Sequence, residues 1–162
     1  MEPGAAELIR TLELRPHPEG GYYREIWRAS LAVAPADGRG QRPALTTIYF
    51  LLPGGAVSRW HRVRSDELWQ HIEGAPLELL QLAPDEWQLR RTRLGFPQTG
   101  EETPLHHVPA GWWQAAQTLG SYTLVSCTVG PGFDFADFEL LAERGELAAE
   151  LGRKLPEAAA LL

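Results

Sequence analysis

An imidazole and a carboxylate, His61 and Glu67, lie six positions apart in the chain. Side chains two residues apart on a strand point to the same face, so Glu67, Trp69 and His71 are expected to share one face. If the strand ending at His61 pairs with the strand beginning at Glu67, across the connection 62–66, both groups face one interior. A carboxylate beside an imidazole in such an interior can bind a divalent metal or transfer a proton.

Short strands separated by turns must position these groups. Residues 53–55 (Pro-Gly-Gly) and 109–111 (Pro-Ala-Gly) separate segments that either alternate in polarity or are continuously apolar. This pattern predicts strands at 22–28, 46–52, 67–72, 77–82, 87–93, 103–108, 112–117 and 122–129. Many short strands of this kind favour a sandwich or a closed barrel.

The two ends of the sequence have helical character. Apolar residues at helical spacing predict a helix over 5–14, and a segment rich in Ala, Leu, Glu and Lys predicts another over about 143–161. We therefore expect an all-β protein with short terminal helices. It should form a single domain, 1–162, with its barrel over about 20–138.

The spacing around the central pair resembles the first sequence motif of the cupins. That motif has Gly, five residues, His-x-His, three or four residues, Glu, six residues and Gly. Gly55, His61, Glu67 and Gly74 match each spacing, whereas Val63 stands where the motif has its second His. The resemblance implies a double-stranded β-helix, that is, a jelly-roll barrel.

The second cupin motif, Pro-x-Gly, two residues and His, is matched by residues 109–111, but Gln114 replaces its His. A cupin metal site, as the resemblance implies it, has three His and one Glu. Valine donates nothing and a neutral amide is a poor ligand for a transition metal. We therefore expect no metal and no other cofactor. If a metal is bound, His61 and Glu67 would hold it, with His71 as an additional imidazole.

A narrower resemblance extends over about 120 residues. Four blocks occur in the order found in the cupin family catalogued as domain of unknown function 985: 18–25 (PEGGYYRE), 65–69 (SDELW), 108–116 (VPAGWWQAA) and 127–135 (CTVGPGFDF). Membership of that family implies a jelly roll and usually a homodimer. It implies no settled reaction.

Without a metal, the same residues suit acid–base chemistry on an organic ligand. His61 would act as general acid or base, and Glu67 would orient it or share its proton. Gln114 offers both a donor and an acceptor to a ligand. Trp69 and Trp112 are expected to share faces with these polar groups and to line the pocket. In the alternative interpretation, His61 and Glu67 are an ion pair that braces the barrel, and the tryptophans belong to its core.

Two further groups are candidate ligand contacts. Tyr22 and Arg24 lie on one face of a predicted strand and could hold an anionic ligand at the pocket mouth. That strand could equally belong to an intersubunit sheet. His71 could contact the ligand or be a hydrogen-bonded core histidine.

Composition excludes several classes of function. The formal net charge of −6, without a basic block, gives no electrostatic reason to bind nucleic acid. The most apolar stretch, 44–52, is too short to span a bilayer. The first residues lack the basic and apolar regions of a signal peptide, and Cys127 is the sole cysteine, so we expect a cytoplasmic protein.

Three functions agree with these observations. The first is a metal-independent isomerase or epimerase acting on a sugar-like or other carbonyl compound. The second is a dimeric barrel that binds a small molecule without chemistry, and the third is a metal-dependent cupin enzyme. In each case the expected partner is a small-molecule ligand, with neither nucleic acid nor membrane.

Overall fold

A computed structural model of the chain describes residues 3–97 and 100–162, so the first residues of the expected domain lie outside the described part. Within these residues, two helices and fourteen strands form. The strands are β1 (Arg15–Pro16), β2 (Tyr22–Arg28), β3 (Ala32–Val33), β4 (Arg42–Pro43), β5 (Thr46–Pro53), β6 (Val57–Val63), β7 (Asp66–Gly74), β8 (Leu77–Leu82), β9 (Arg90–Leu94), β10 (Glu102–Thr103), β11 (Leu105–Val108), β12 (Trp113–Thr118), β13 (Tyr122–Gly130) and β14 (Phe138–Leu140). The helices are α1 (Pro3–Thr11) and α2 (Gly145–Lys154), and short 3-10 turns lie at Phe135–Asp137, Leu141–Glu143 and Ala159–Leu161.

Two six-stranded sheets make up the body of the protein. One has the order β1-β2-β5-β13-β7-β11 and the other β10-β9-β8-β12-β6-β14. Their facing sides share one apolar core, in which Phe50 and Trp69 of the first sheet pack with Leu77 and Leu79 of the second. The protein is mostly β, which confirms the all-β jelly-roll prediction.

Side-chain alternation along β7 follows the expected pattern. Glu67, Trp69 and His71 are buried, whereas the intervening Leu68 and Gln70 are exposed. The three inward side chains therefore share the face that the sequence predicts, because successive strand residues point to opposite sides of a sheet.

The expected pairing between the strands of His61 and Glu67 is wrong. β6 pairs with β12 and β14, whereas β7 pairs with β13 and β11, so the two strands lie in different sheets. The connection after Val63 crosses from one sheet to the other instead of closing a hairpin. His61 and Glu67 consequently face the same interior from opposite walls.

The N-terminal helix ends earlier than predicted. α1 ends at Thr11 instead of residue 14, since Glu13 adopts a left-handed conformation with φ of 54°. The backbone amide of Leu14 then donates to the carbonyl oxygen of Ile9 at 2.9 Å, a bond pattern that terminates helices.

The C-terminal helix is also shorter than predicted. α2 ends at Lys154, because Pro156 lacks an amide hydrogen and restricts the residue before it to non-helical angles. The following segment folds back over the barrel, where the carbonyl oxygen of Ala158 accepts from Nε1 of Trp60 at 2.8 Å. Neither helix of the described chain has the length and hydropathy needed to cross a membrane.

Candidate functional site

The interior between the sheets contains a cavity of about 500 Å³. Its buried end carries three titratable side chains, Glu19, His61 and Glu67, each no more than 6% exposed. Aromatic rings form much of its wall: Tyr23, Phe50, Phe133, Phe135 and Phe138. A concave space with apolar walls and a few convergent polar groups is the usual form of a small-molecule site.

The segment between β1 and β2 directs Glu19 into this interior. The backbone amide of Arg59 donates to the carbonyl oxygen of Glu19 at 2.8 Å. Gly20 has φ of 111°, and a Cβ atom at this position would overlap the carbonyl oxygen of Val57. Only glycine allows this approach of two backbones, so the residue after Glu19 fixes where its carboxyl lies.

The carboxyl of Glu19 lies between two imidazoles. Ser58 Oγ donates to its Oε1 at 2.8 Å, and its Oε2 lies 3.3 Å from His61 Nε2 and 3.4 Å from His17 Nδ1. His61 Nδ1 lies 2.7 Å from the carbonyl oxygen of Arg59, which only accepts, so Nε2 of the neutral ring is an acceptor. His17 Nδ1 accepts the backbone amide hydrogen of Glu19 at 3.2 Å. Both nitrogens facing Oε2 are thus acceptors, and a protonated carboxyl can donate its one hydrogen to His61 Nε2, since His17 Nδ1 already accepts the backbone amide.

Burial shifts the ionisation of all three groups in the direction of the neutral forms. It raises the pKa of Glu19 from 4.5 to about 8, against the opposing effects of the Ser58 hydrogen bond and the Arg59 charge. It lowers the pKa of His17 from 6.5 to about 4, with repulsion from His61 acting in the same direction. It also lowers the pKa of His61. At neutral pH, Glu19 therefore holds the proton of this cluster.

Glu67 faces the cavity at the end of a chain of side-chain hydrogen bonds. Trp69 Nε1 donates to Oε1 of Gln114 at 3.0 Å, and Nε2 of Gln114 donates to Oε2 of Glu67 at 2.6 Å. The indole thus fixes which end of the amide faces Glu67. Burial raises the pKa of Glu67 to about 7; Glu19 adds to this rise, whereas His61, Gln114 and Cys127 oppose it.

The sequence profile of the Cupin superfamily (DUF985) matches residues 6–141. This chain is a cupin of that family. It is similar to a hypothetical protein from Leishmania major, with 35% identity, a TM-score of 0.83 and coverage of 97% of this chain and 95% of that one. It is 28% identical to the uncharacterized protein YML079W of Saccharomyces cerevisiae, over 96% of this chain and 83% of the relative.

More distant enzymes share the fold of this cupin. Oxalate decarboxylase from Bacillus subtilis superposes with a TM-score of 0.60 at 18% identity. The match covers 91% of this chain but 36% of that enzyme. At this identity the likeness shows the cupin fold alone.

The structure of this cupin brings together part of the predicted site. His61, Glu67 and Arg24 line the cavity. Trp69 and Gln114 lie behind Glu67, since their polar atoms bond to each other and to its carboxylate. They position a cavity group and do not themselves form the wall.

Tyr22, Trp112 and His71, which the sequence suggested as ligand contacts, do not line the cavity. Tyr22 packs on the side of its sheet that α1 covers, because the neighbouring Tyr23 takes the inward place. Trp112 is half-buried with the guanidinium of Arg90 4.5 Å from its ring centroid. His71 lies deeper along β7, where its Nε2 is 3.2 Å from the carbonyl oxygen of Ala75.

Sequence reasoning missed the other half of the site. Residues 16–18 (Pro-His-Pro) suggest a helix stop and residues 19–21 (Glu-Gly-Gly) a turn, yet His17 and Glu19 are central to the hydrogen-bond network. The usable signal was the pair of glycines, since adjacent glycines permit a close backbone approach that carries a neighbouring side chain inward.

The donor set does not fit the three-His, one-Glu metal site of cupins. Val63 lies in the cavity wall without a donor atom, and the amide of Gln114 is directed at Glu67 and Trp69. Nε2 of His61 faces the carboxyl of Glu19. Over residues 3–97 and 100–162, we find no group of three or more His, Cys, Asp or Glu side chains arranged to hold a metal ion.

Proposed function

We propose that this cupin binds a small carbonyl compound and catalyses its isomerisation or epimerisation by proton transfer, without a metal or other cofactor. One observation carries the proposal: Oε2 of Glu19 lies 3.3 Å from Nε2 of His61, in a cavity that Glu67 also faces. Paired titratable groups that burial tunes toward neutral pH are typical of acid–base active sites.

Glu67 and Glu19 have complementary roles in this proposal. With a pKa of about 7, Glu67 is substantially ionised at neutral pH and removes the proton from the carbon next to the carbonyl. Glu19, with a pKa of about 8, gives its proton to the carbonyl oxygen, so a C–H bond breaks and an O–H bond forms. The resulting enol, or enediol of a hydroxycarbonyl compound, then gains a carbon-bound proton from the protonated Glu67 or from water, on the opposite face of the same carbon or at the neighbouring carbon. Its O–H proton returns to Glu19 as the carbonyl forms again.

His61 acts on Glu19 in this scheme. Its Nε2 accepts a hydrogen bond from the acid in the resting state and so positions the Glu19 carboxyl. Burial keeps the pKa of His61 low, so it does not hold a permanent positive charge that would ionise Glu19 beforehand. His61→Gln should therefore reduce proton transfer less than Glu19→Gln.

The experiment is a deuterium-exchange screen in heavy water, followed by proton NMR on sugar phosphates, nucleotide sugars and aromatic keto acids. A substrate gains deuterium at the carbon next to its carbonyl with wild type but not with Glu67→Gln or Glu19→Gln. Glu143→Gln, on the surface of the same protein, is the matched control. Tight binding without exchange would favour the non-catalytic barrel, and near-stoichiometric iron, manganese, nickel or zinc in purified protein would favour a metal enzyme.

The homodimer that the family resemblance implies remains a proposal. Large apolar side chains on the surface support it: Trp27 is 59% exposed, Leu31 is 67% exposed and Leu105 is 48% exposed. Sedimentation equilibrium tests it, and a mass near 18.0 kDa would contradict it.

A further inference from the structure

The two ends of the cavity differ in charge. The buried end holds the carboxyl groups of Glu19 and Glu67, and Glu67, which is substantially ionised at neutral pH, repels a ligand's anionic group. The rim carries Arg15, Arg24 and Arg28, which attract one. A ligand with one anionic group must therefore place it outward and direct its neutral oxygen inward.

The three rim arginines are not equally available. Arg24 donates to Oε2 of Glu13 at 2.9 Å, and Arg28 forms two bonds with Glu25, at 2.8 and 2.7 Å. Arg15 is exposed on β1 and makes no ion pair or side-chain hydrogen bond within the described chain. It lies opposite Tyr23, whose ring is part of the cavity wall.

The acidic side chains at the rim are already engaged. Glu25 is bound by Arg28. The Asp134 carboxylate accepts the backbone amide of Ala136 at 2.8 Å and keeps its charge, which acts on Arg28: the Glu25 hydrogen bond and the charges of Glu25 and Asp134 raise the pKa of Arg28. Among the residues that the structure describes, the rim thus offers a single uncompensated cation, Arg15. One guanidinium matches one carboxylate, which its two parallel N–H groups can bind in bidentate geometry.

The wall between the two ends favours an aromatic ring over a sugar. Phe133 and Phe135 meet edge to face with centroids 4.9 Å apart, and Phe138 and Phe50 continue the apolar surface. Thr46, a polar side chain of this wall, accepts the backbone amide of Phe133 at its Oγ1, at 2.9 Å, and keeps one hydroxyl hydrogen to donate. A sugar has more ring hydroxyls than this wall has polar partners, so several would lose water without gaining a hydrogen bond, whereas an aromatic face needs none.

We infer that the ligand is an aromatic carboxylate that bears a carbonyl or hydroxyl oxygen across its ring. Its carboxylate binds Arg15 at the rim, its ring lies among the phenylalanines, and its oxygen reaches the carboxyl of Glu19 at the buried end. This inference deepens the proposed function and rests on it for the role of the inner oxygen.

Calorimetric titration with 4-hydroxybenzoate, its methyl ester and glucuronate tests this assignment. We expect 4-hydroxybenzoate to bind wild type about tenfold or more tighter than the ester, because the ester lacks the charge that Arg15 recognises. Glucuronate, a monoanion with a hydroxylated ring, should bind about tenfold or more weakly than 4-hydroxybenzoate. Arg15→Gln should abolish the preference for the acid without weakening the ester, and Arg15→Lys should restore part of it.

Arg10→Gln is the matched control, since Arg10 lies on the exposed face of α1 and outside the cavity lining. Equal affinity for acid and ester, retention of the preference in Arg15→Gln, tighter binding of glucuronate, or no detectable binding of 4-hydroxybenzoate would each overturn the inference. Aromatic binding without proton exchange keeps the ligand class and removes the proposed chemistry. Proton exchange on a sugar, without binding of the aromatic acid, would keep the proposed chemistry and overturn the ligand class.

Discussion

Two histidines on inward-facing strand positions, His61 and His71, have different surroundings. Both ring nitrogens of His61 engage polar groups: Nδ1 contacts the Arg59 carbonyl and Nε2 faces the Glu19 carboxyl beside the cavity. His71 contacts the Ala75 carbonyl through Nε2, has a buried Nδ1 without a hydrogen-bond partner in the described chain, and meets the edge of Phe96. An inward position is therefore not enough to make a histidine part of a site.

The segments that pack around the two histidines account for their different surroundings. At His61, the segment 16–21 brings the Glu19 carboxyl to Nε2 of the ring, and Phe138 stacks on the ring with centroids 5.5 Å apart. At His71, core side chains of both sheets fill the neighbouring interior. Titratable neighbours and adjacent free space, which only tertiary contacts supply, distinguish a candidate catalytic residue from a core residue.

The largest expected effect is on proton exchange. Glu67→Gln keeps the size of the side chain but removes the base, so exchange of a substrate found in the screen should fall about a hundredfold to ten-thousandfold. His71→Leu, at the other inward position, should leave the rate within about a few-fold. Equal losses of exchange rate in the two variants would contradict the assignment of Glu67 to the site and of His71 to the core.

The second prediction concerns how stability varies with pH. The folded protein holds the Glu19 proton up to about pH 8, whereas the unfolded chain releases it near pH 4.5, so this stabilisation is lost progressively as pH rises from 4.5 to about 8. Glu67 acts in the same direction up to about pH 7. His17 has a lowered pKa of about 4, so its contribution is instead lost as pH falls below 6.5, and His61 acts likewise.

Between pH 6.5 and 8 the Glu19 effect, with that of Glu67 up to about pH 7, acts without the opposing histidine effects. The free energy of unfolding should then fall by about 1.4 kcal/mol per pH unit for each proton held. Urea denaturation across this range measures the slope, which Glu19→Gln should largely remove. The control Glu7→Gln, on the exposed face of α1, should retain it; a flat wild-type profile would contradict the proposed protonation of Glu19.

The fold could be predicted from local patterns, because alternation and turn residues act over a few positions. The bounds of β2 and β8 agree with the prediction, and those of β5 and β13 differ at one end by a residue. The strand predicted over 87–93 instead runs Arg90–Leu94. Strand pairing depends on residues far apart in sequence. The expected pairing of the His61 and Glu67 strands was therefore wrong, although both side chains face the same interior.

The site was predictable only where a motif spans it. Gly55 to Gly74 carries His61 and Glu67 at cupin spacing, but Glu19 enters from a segment about forty residues earlier. No periodicity relates these segments, and the contact between them depends on the conformation of Gly20. The orientation of Gln114 likewise depends on Trp69, a partner forty-five positions away in sequence.

A third prediction compares the two ends of β7 by stability. Trp69→Phe removes the indole donor and leaves Oε1 of Gln114 buried without a partner, which should destabilise the protein by about 1–3 kcal/mol. His71→Leu removes a nitrogen that has no partner in the described chain, and the Ala75 carbonyl keeps its bond from Thr123 at 2.8 Å, so stability should change by less than about 1 kcal/mol. Chemical denaturation measures both; the opposite order would mean that the Trp69–Gln114 bond contributes little.

The smallest expected effect is at Arg24, which the sequence suggested as a ligand contact. Its ion pair with Glu13 is largely exposed, with 34% and 78% of the two side chains accessible, so Arg24→Gln should change stability by less than about 1 kcal/mol. Because Glu13 already balances its charge, affinity for 4-hydroxybenzoate should change by less than about fivefold. Calorimetric titration of both Arg24→Gln and Arg15→Gln distinguishes the two arginines. A larger loss of affinity in Arg24→Gln would mean that Arg24 on β2, and not Arg15, binds the anionic group.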